Sequence, residues 1–337
     1  MHRMLAIILV AIGLPTACVH NTYDNLLDVH EEAGQLGLIL ILAAGLSPQA
    51  RPGYSWRQVT TNAGFPARSY PLVLVFQNRL WVIGGFDQNG DLLTDVWSSP
   101  DGIAWTRATN TLPVAAAGTR LPGVVFGGRM WIFDHVTNTT DVYASTDGVT
   151  WTLMSTIAST FGEGKTLVFD GRMRFSEADG IIVSFDSTDG VNWSQYEVVS
   201  GLSTGSLNDT FMYNGRLNYS YGTKIGLRDA KNKFATVATL AYSPARMLSY
   251  NQVFWAFGSE VLTSTDGVAW FGATALNLYC CRAPELLQRI QYDITVFQNR
   301  LWLIGGIDAA GEVRSDVWQS VGAGVGQDGE ARSDGSG

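Results

Sequence analysis

The stretch STDGVTW, residues 145–151, recurs as STDGVNW at 187–193, as STDGVAW at 264–270 and, more loosely, as SSPDGIAW at 98–105. Each copy either carries chemistry or punctuates structure. Asp-Gly tolerates the positive φ angles of a tight hairpin, so the copies read as turns, each followed by a strand that its Trp anchors. A second motif travels with the first. VFQNRLWVIGG at 75–85 returns as VFQNRLWLIGG at 296–306, with weaker copies opening at Val125, Val168, Met212 and Ser249. The aromatic that opens each copy falls at Phe76, Phe126, Phe169, Tyr213, Tyr250 and Phe297, a spacing of 37 to 50 residues. That is the period of propeller blades.

Within one unit the parts order themselves. A short alternating run meets a two-residue turn (Gln77-Asn78, Gly127-Gly128, Asp170-Gly171, Asn214-Gly215), and a second apolar run follows. After a variable loop comes a third strand (DVW at 95–97 and 316–318, DVY at 141–143), and then Asp-Gly leads into a fourth strand bearing the Trp. Four antiparallel strands per unit make a blade. All 11 Trp fall on repeat positions, with Phe234 standing in for the fourth-strand Trp of the fourth unit. They read as core before ligand platforms, because each blade must bury its faces against its neighbours. The sixth unit ends after Trp318 without a fourth strand, whereas YSWRQVT at 54–60 precedes the first unit as an orphan with Trp56 in the Trp slot. The sequence therefore predicts an all-β, six-bladed β-propeller with an N-terminal strand closing the last blade, which removes an exposed edge.

Composition narrows the function classes. Of 337 residues 15 % are charged, with 37 Gly and 11 Trp, which suits a turn-rich all-β chain. A net charge of −8 argues against a nucleic-acid partner, which needs a basic face. Residues 1–17 read as a signal peptide: His2 and Arg3, an apolar run over 4–14, then small residues before Cys18. Cys18 stands where a bacterial lipoprotein is lipidated, so the chain is expected to be exported, periplasmic or envelope-attached, with a membrane tether through Cys18. Residues 18–52 form a linker with an apolar run, LGLILILAAGL at 36–46, too short to span a bilayer. The propeller covers 53–321, and 322–337 is a Gly, Ser and charge-rich tail expected to be disordered. Cys280 and Cys281 are adjacent, so a bond between them would be a strained vicinal disulfide, and two free thiols are the alternative.

The Gly84-Gly85 and Gly305-Gly306 pairs after an apolar strand, with an aromatic on the third strand, resemble kelch-repeat propellers. The run ARSYPLVLVFQNRLWVIGG at 67–85, together with STDGVTW, is similar to the bacterial, exported branch of that family. The Gly pair is lost around Phe133-Asp134 in the second unit and Ser176-Glu177 in the third. The resemblance implies the fold and leaves function open. STDGVTW is also similar to the Asp-box of sialidases, a structural turn even there. Kelch-type galactose oxidase, whose copper site uses two His, is a poor comparison for a propeller region holding only His135.

Strand alternation puts the tight turns at one end of the ring and the longer loops at the other, where functional surfaces more often sit. The loop-rich end gathers Arg68, Arg120, Arg246, Arg282 and Arg289 from blade-to-blade connections, with Arg68 and Arg289 each thirteen residues before a second-strand Trp. Asp87 and Asp308 match each other in the loops between second and third strands, while Asp134, next to His135, and Glu177 replace the first Gly of the pair. Mixed Arg and carboxylate at a channel mouth suits a polar or anionic ligand. Arg braces between blades are the structural alternative. The leading expectation is a non-catalytic binding module for a protein or glycan ligand, without cofactor or metal. The second is a glycoside-processing enzyme using Asp87, Asp134, Glu177 or Asp308, which would need two carboxyls about 5–9.5 Å apart.

Overall fold

The computed structural model describes residues 55–115, 120–158, 164–202, 207–213, 216–258, 261–272 and 289–321. The signal peptide, Cys18, the apolar run, the Asn214-Gly215 turn, Cys280, Cys281, Arg282 and the tail lie outside the described residues. Six four-stranded antiparallel sheets form the six blades of a β-propeller. Blade 1 runs Leu72–Phe76, Arg79–Ile83, Val96–Ser99 and Thr106–Thr109, and the next four repeat the order. Blade 6 takes Asp293–Phe297, Arg300–Ile304 and Val317–Val321 from the end of the described chain and Ser55–Thr60 from its beginning. Ser55 pairs with Val321 and Trp56 with Ser320. Each first strand contacts the first strand of the next blade, so the ring closes.

The core is distributed over the seams. Six hydrophobic clusters lie between successive blades, for example Trp131 and Phe133 of blade 2 with Met173 and Phe175 of blade 3. The second-strand Trp residues are the largest members. Trp81, Trp131 and Trp302 are all but buried, and each indole Nε1 donates to the carbonyl of its opening aromatic at 2.9 to 3.0 Å.

The repeated Ser-x-Asp-Gly is a structural turn. The Oγ of Ser99, Ser145, Ser187 and Ser264 accepts from the turn glycine N–H at 2.8 Å in all four copies. The Asp carboxylate accepts the two amides after the glycine; for Asp147 these are Val149 and Thr150, at 2.8 and 2.9 Å. The Trp residue stands one position before the fourth strand, with its Nε1 donating to the glycine carbonyl. The glycine has a second role across the seam. A Cβ on Gly102, Gly148 or Gly190 would lie 2.1, 2.0 or 2.2 Å from the indole of Trp302, Trp81 or Trp131 of the preceding blade. The motif recurs because each blade seats its turn on its neighbour's Trp.

Where the Trp is lost, so is its seat. Blade 3 carries Arg174 and blade 4 Asn218 in the Trp slot, and blade 4 turns through Asp229–Lys233 without Asp-Gly. Arg174 lies between Tyr196 and Phe169, its guanidinium carbon 3.6 and 4.8 Å from their ring centres. The blade 3–blade 4 seam is also more polar: the Tyr219 hydroxyl donates to Glu197 and bonds Ser184 at 2.9 Å.

Candidate functional site

First and third strands run toward the tight turns, so the channel mouth at the loop-rich end is built from the starts of the first strands. The column four residues before each opening aromatic reads Leu72, Pro122, Lys165, Asp209, Arg246 and Asp293. Four consecutive blades thus alternate in sign around the axis.

Asp293 is fully buried and joins four blades. Its Oδ2 accepts the Val73 N–H of blade 1 at 2.8 Å, and its Oδ1 accepts its own neighbour Ile294 at 2.9 Å. The same Oδ1 receives Arg246 Nε of blade 5 at 3.2 Å and Arg120 Nη2 at 3.1 Å. Arg120 leads into blade 2, so it reaches across the mouth. Asp209 repeats the backbone half of this arrangement, with Oδ1 accepting Thr210 at 2.9 Å and Oδ2 accepting Met247 of blade 5 at 2.7 Å. Arg246 Nη1 lies 3.6 Å from Asp209 and so stands between two carboxylates. Burial works against its charge, but Asp293 and then Asp209 lift its pKa above the ordinary arginine value. Its side chain remains 26 % exposed.

The other sequence-predicted residues lie around this ring in different roles. Arg68 is wholly buried, bidentate to Asp95 at 2.7 and 3.0 Å, and donates to Gly84 O and Pro66 O. Arg289 repeats this in blade 6 with Asp316 at 2.8 and 3.0 Å and with Gly305 O. Both brace a blade from within, and the first residue of the DVW motif is the partner. Asp87 Oδ1 accepts Asn89 and Asp91 amides at 2.8 and 2.9 Å, and Asp308 Oδ1 accepts Ala310 and Glu312 amides at 2.9 and 3.0 Å. Asp308 also pairs with Arg314. These two carboxylates shape their own loops. Asp134 and Glu177 are buried on neighbouring second strands, with Asp134 Oδ2 accepting Ala115 N–H at 2.7 Å. His135 is half-buried; its Nδ1 and Thr140 Oγ1 have no hydrogen bond among the described residues. They face a void shared with Arg120, Phe133 and Phe175 that has no room for a water-sized molecule.

The structure brings Arg120 and Arg246 together on Asp293 and adds Asp209, while Lys165 occupies the same column of blade 3. The signal for these three was present. Aligning the repeats on the opening aromatic exposes the alternating column, which the longer Arg68 and Arg289 spacing does not. Among the described residues no group of His, Cys, Asp and Glu is arranged to hold a metal.

The family model of the DUF6242 beta propeller domain matches residues 99–210, from the third strand of blade 1 into the first strand of blade 4. No curated protein matches the chain. Among solved structures, that of YjhT is 14 % identical, covering 77 % of this chain and 96 % of that one at a TM-score of 0.49. A structure from the GH130 family of mannoside phosphorylases, containing glycoside hydrolases that target β-1,2 mannosidic linkages in Candida mannan, is 10 % identical. It covers 80 % of this chain and 94 % of that one, with a TM-score of 0.44. The Bombyx mori GH32 β-fructofuranosidase BmSUC1 is 13 % identical, covering 81 % and 70 %, with a TM-score of 0.42. Nothing about activity follows from likenesses at this level.

Proposed function

We propose that the protein is an exported, kelch-type propeller acting as a non-catalytic binding module, which takes an anionic group of a glycan or protein ligand at its loop-rich mouth. One observation carries the reading. Charged side chains of three consecutive blades, Asp209, Arg246 and Asp293, meet near the axis, and Arg246 there is partly exposed. Both ring carboxylates already accept two backbone amides each, so they hold the blades in register while fixing the arginines. A partly exposed guanidinium held between fixed acids is preorganised for a carboxylate or sulfate.

The glycosidase reading draws less support. It requires two carboxyls flanking a scissile bond with one held protonated. Asp87 and Asp308 instead serve their loops, and Asp134 holds the Ala115 amide. The test is calorimetric titration of the intact protein with acidic oligosaccharides and with peptides ending in a free carboxylate. Arg246→Gln, checked for native circular dichroism, is expected to weaken binding at least tenfold. Equal affinity in that variant, or no binding by any acidic ligand, sinks the proposal.

A further inference from the structure

The two ends of the ring differ in more than loop length. Ser320 stands where Ser99 stands in blade 1, and Ser55 pairs with Val321, so the chain enters and leaves the ring at the tight-turn end. At that end, the residue after each Asp-Gly is a β-branched aliphatic: Ile103, Val149, Val191 and Val268, which are 60, 51, 46 and 55 % exposed. The turn needs only the backbone N–H of this residue, which the Asp carboxylate accepts at 2.8 to 2.9 Å. A polar side chain would supply the same donor, so the turn does not account for an apolar one four times over. Leu153 and Phe271, close behind Trp151 and Trp270, are each half-exposed as well. Among the described residues, Ile290 is the one comparably exposed large apolar side chain in the loop-rich connections.

Scattered exposed aliphatics need no explanation, but repetition at one end of a ring does. Charge at this end is balanced. Arg79, Arg129, Arg172, Arg216 and Arg300 open second strands and Lys231 and Lys233 stand in the blade 4 turn, against Asp101, Asp147, Asp170, Asp189, Asp229 and Asp266 in the turns. Such a surface has no net attraction for an anionic partner, yet it suits zwitterionic headgroups. The apolar run at 36–46 ends nine residues before Ser55. Nine residues reach at most about 30 Å, so anything that holds this run holds the tight-turn end close by.

We infer that the tight-turn end rests on a lipid bilayer, with Ile103, Val149, Val191 and Val268 seated among the headgroups and the loop-rich mouth turned away. Contact is apolar and interfacial, as for surface-lying amphipathic elements. Among the described residues no helix is long and apolar enough to cross a membrane.

The test uses the full chain and phosphatidylcholine vesicles, read by hydrogen exchange and by co-sedimentation. Amides of 147–151, 189–193 and 266–270 are expected to gain protection on vesicles, while those of 87–91 and 308–312 do not. The fourfold variant Ile103→Ser, Val149→Ser, Val191→Ser and Val268→Ser keeps every turn donor and is expected to lower partition at least tenfold. Replacing a third of the lipid with phosphatidylglycerol is expected to change partition less than threefold. Protection at the loop-rich end, or none, overturns the inference, as does unchanged partition of the fourfold variant. A steep, salt-sensitive gain with phosphatidylglycerol also overturns it, because charge would then drive the contact.

Discussion

Asp293→Asn tests whether the mouth is a stabilising ring or an incidental gathering of charge. The substitution preserves shape and removes one negative charge from a fully buried site. Four donors converge on that carboxylate: Val73 N at 2.8 Å, Ile294 N at 2.9 Å, Arg120 Nη2 at 3.1 Å and Arg246 Nε at 3.2 Å. An asparagine has one acceptor oxygen, so whichever way its amide turns, its NH2 faces donors. Breaking a buried ion pair by removing one partner costs about 3–5 kcal/mol. Arg120 and Arg246 are 12 and 26 % exposed, and water softens the loss, which places the expectation at the lower bound. We expect the substitution to cost about 3 kcal/mol in urea unfolding followed by circular dichroism. Asp209→Asn loses a looser ion pair, Arg246 at 3.6 Å, and should cost about 1–2 kcal/mol. A cost below about 1 kcal/mol for Asp293→Asn, or equal costs for the two variants, would show that Asp293 does not hold the ring together.

Further predictions follow the same geometry. Gly148→Ala and Gly127→Ala both force alanine into positive φ, +72° and +56°, but only the first meets an indole. Alanine at 127 should cost about 1–2 kcal/mol from backbone strain alone, and alanine at 148 measurably more, read as urea midpoints. Arg68→Lys leaves one ammonium where a guanidinium spans both Asp95 oxygens and two carbonyls, and should destabilise by about 2–4 kcal/mol in the same assay. Backbone amides, those of Thr150, Asn192 and Val268 foremost, hold the Asp147, Asp189 and Asp266 carboxyls below the usual carboxylate range. Their contribution is complete above the unfolded Asp pKa of about 3.9 and is lost as pH falls through the folded values. The triple Asp→Asn variant should therefore flatten the acid limb of the urea midpoint against pH. Deleting residues 1–60 leaves Val317–Val321 as an open edge, and size-exclusion chromatography should then show self-association.

The blades were legible because a repeat multiplies weak signals. A lone Asp-Gly is merely a turn, but four copies ending in Trp fix the strand order, and the unpaired Trp56 supplies the missing strand. The site was legible only in part. Arg68 and Arg289 share a spacing, and shared spacing tracked a shared brace to Asp95 and Asp316. The connections of Arg120 and Arg246 place them at the loop-rich end but do not name what they meet. Their partner Asp293 joins blades far apart in sequence, a relation that no local pattern records. The seam between blades 3 and 4 shows the same limit. Arg174 is visible as a lost Trp, but its place between Phe169 and Tyr196 depends on how two sheets pack.

The proposed role of the loop-rich mouth is binding without turnover. It is tested most directly by incubating the intact protein at high concentration with the acidic oligosaccharide that binds best, measuring released reducing ends alongside affinity. Saturable binding with no release above the uncatalysed control is expected. Release that disappears on substituting Asp134 or Glu177 would contradict it and make the mouth an active site.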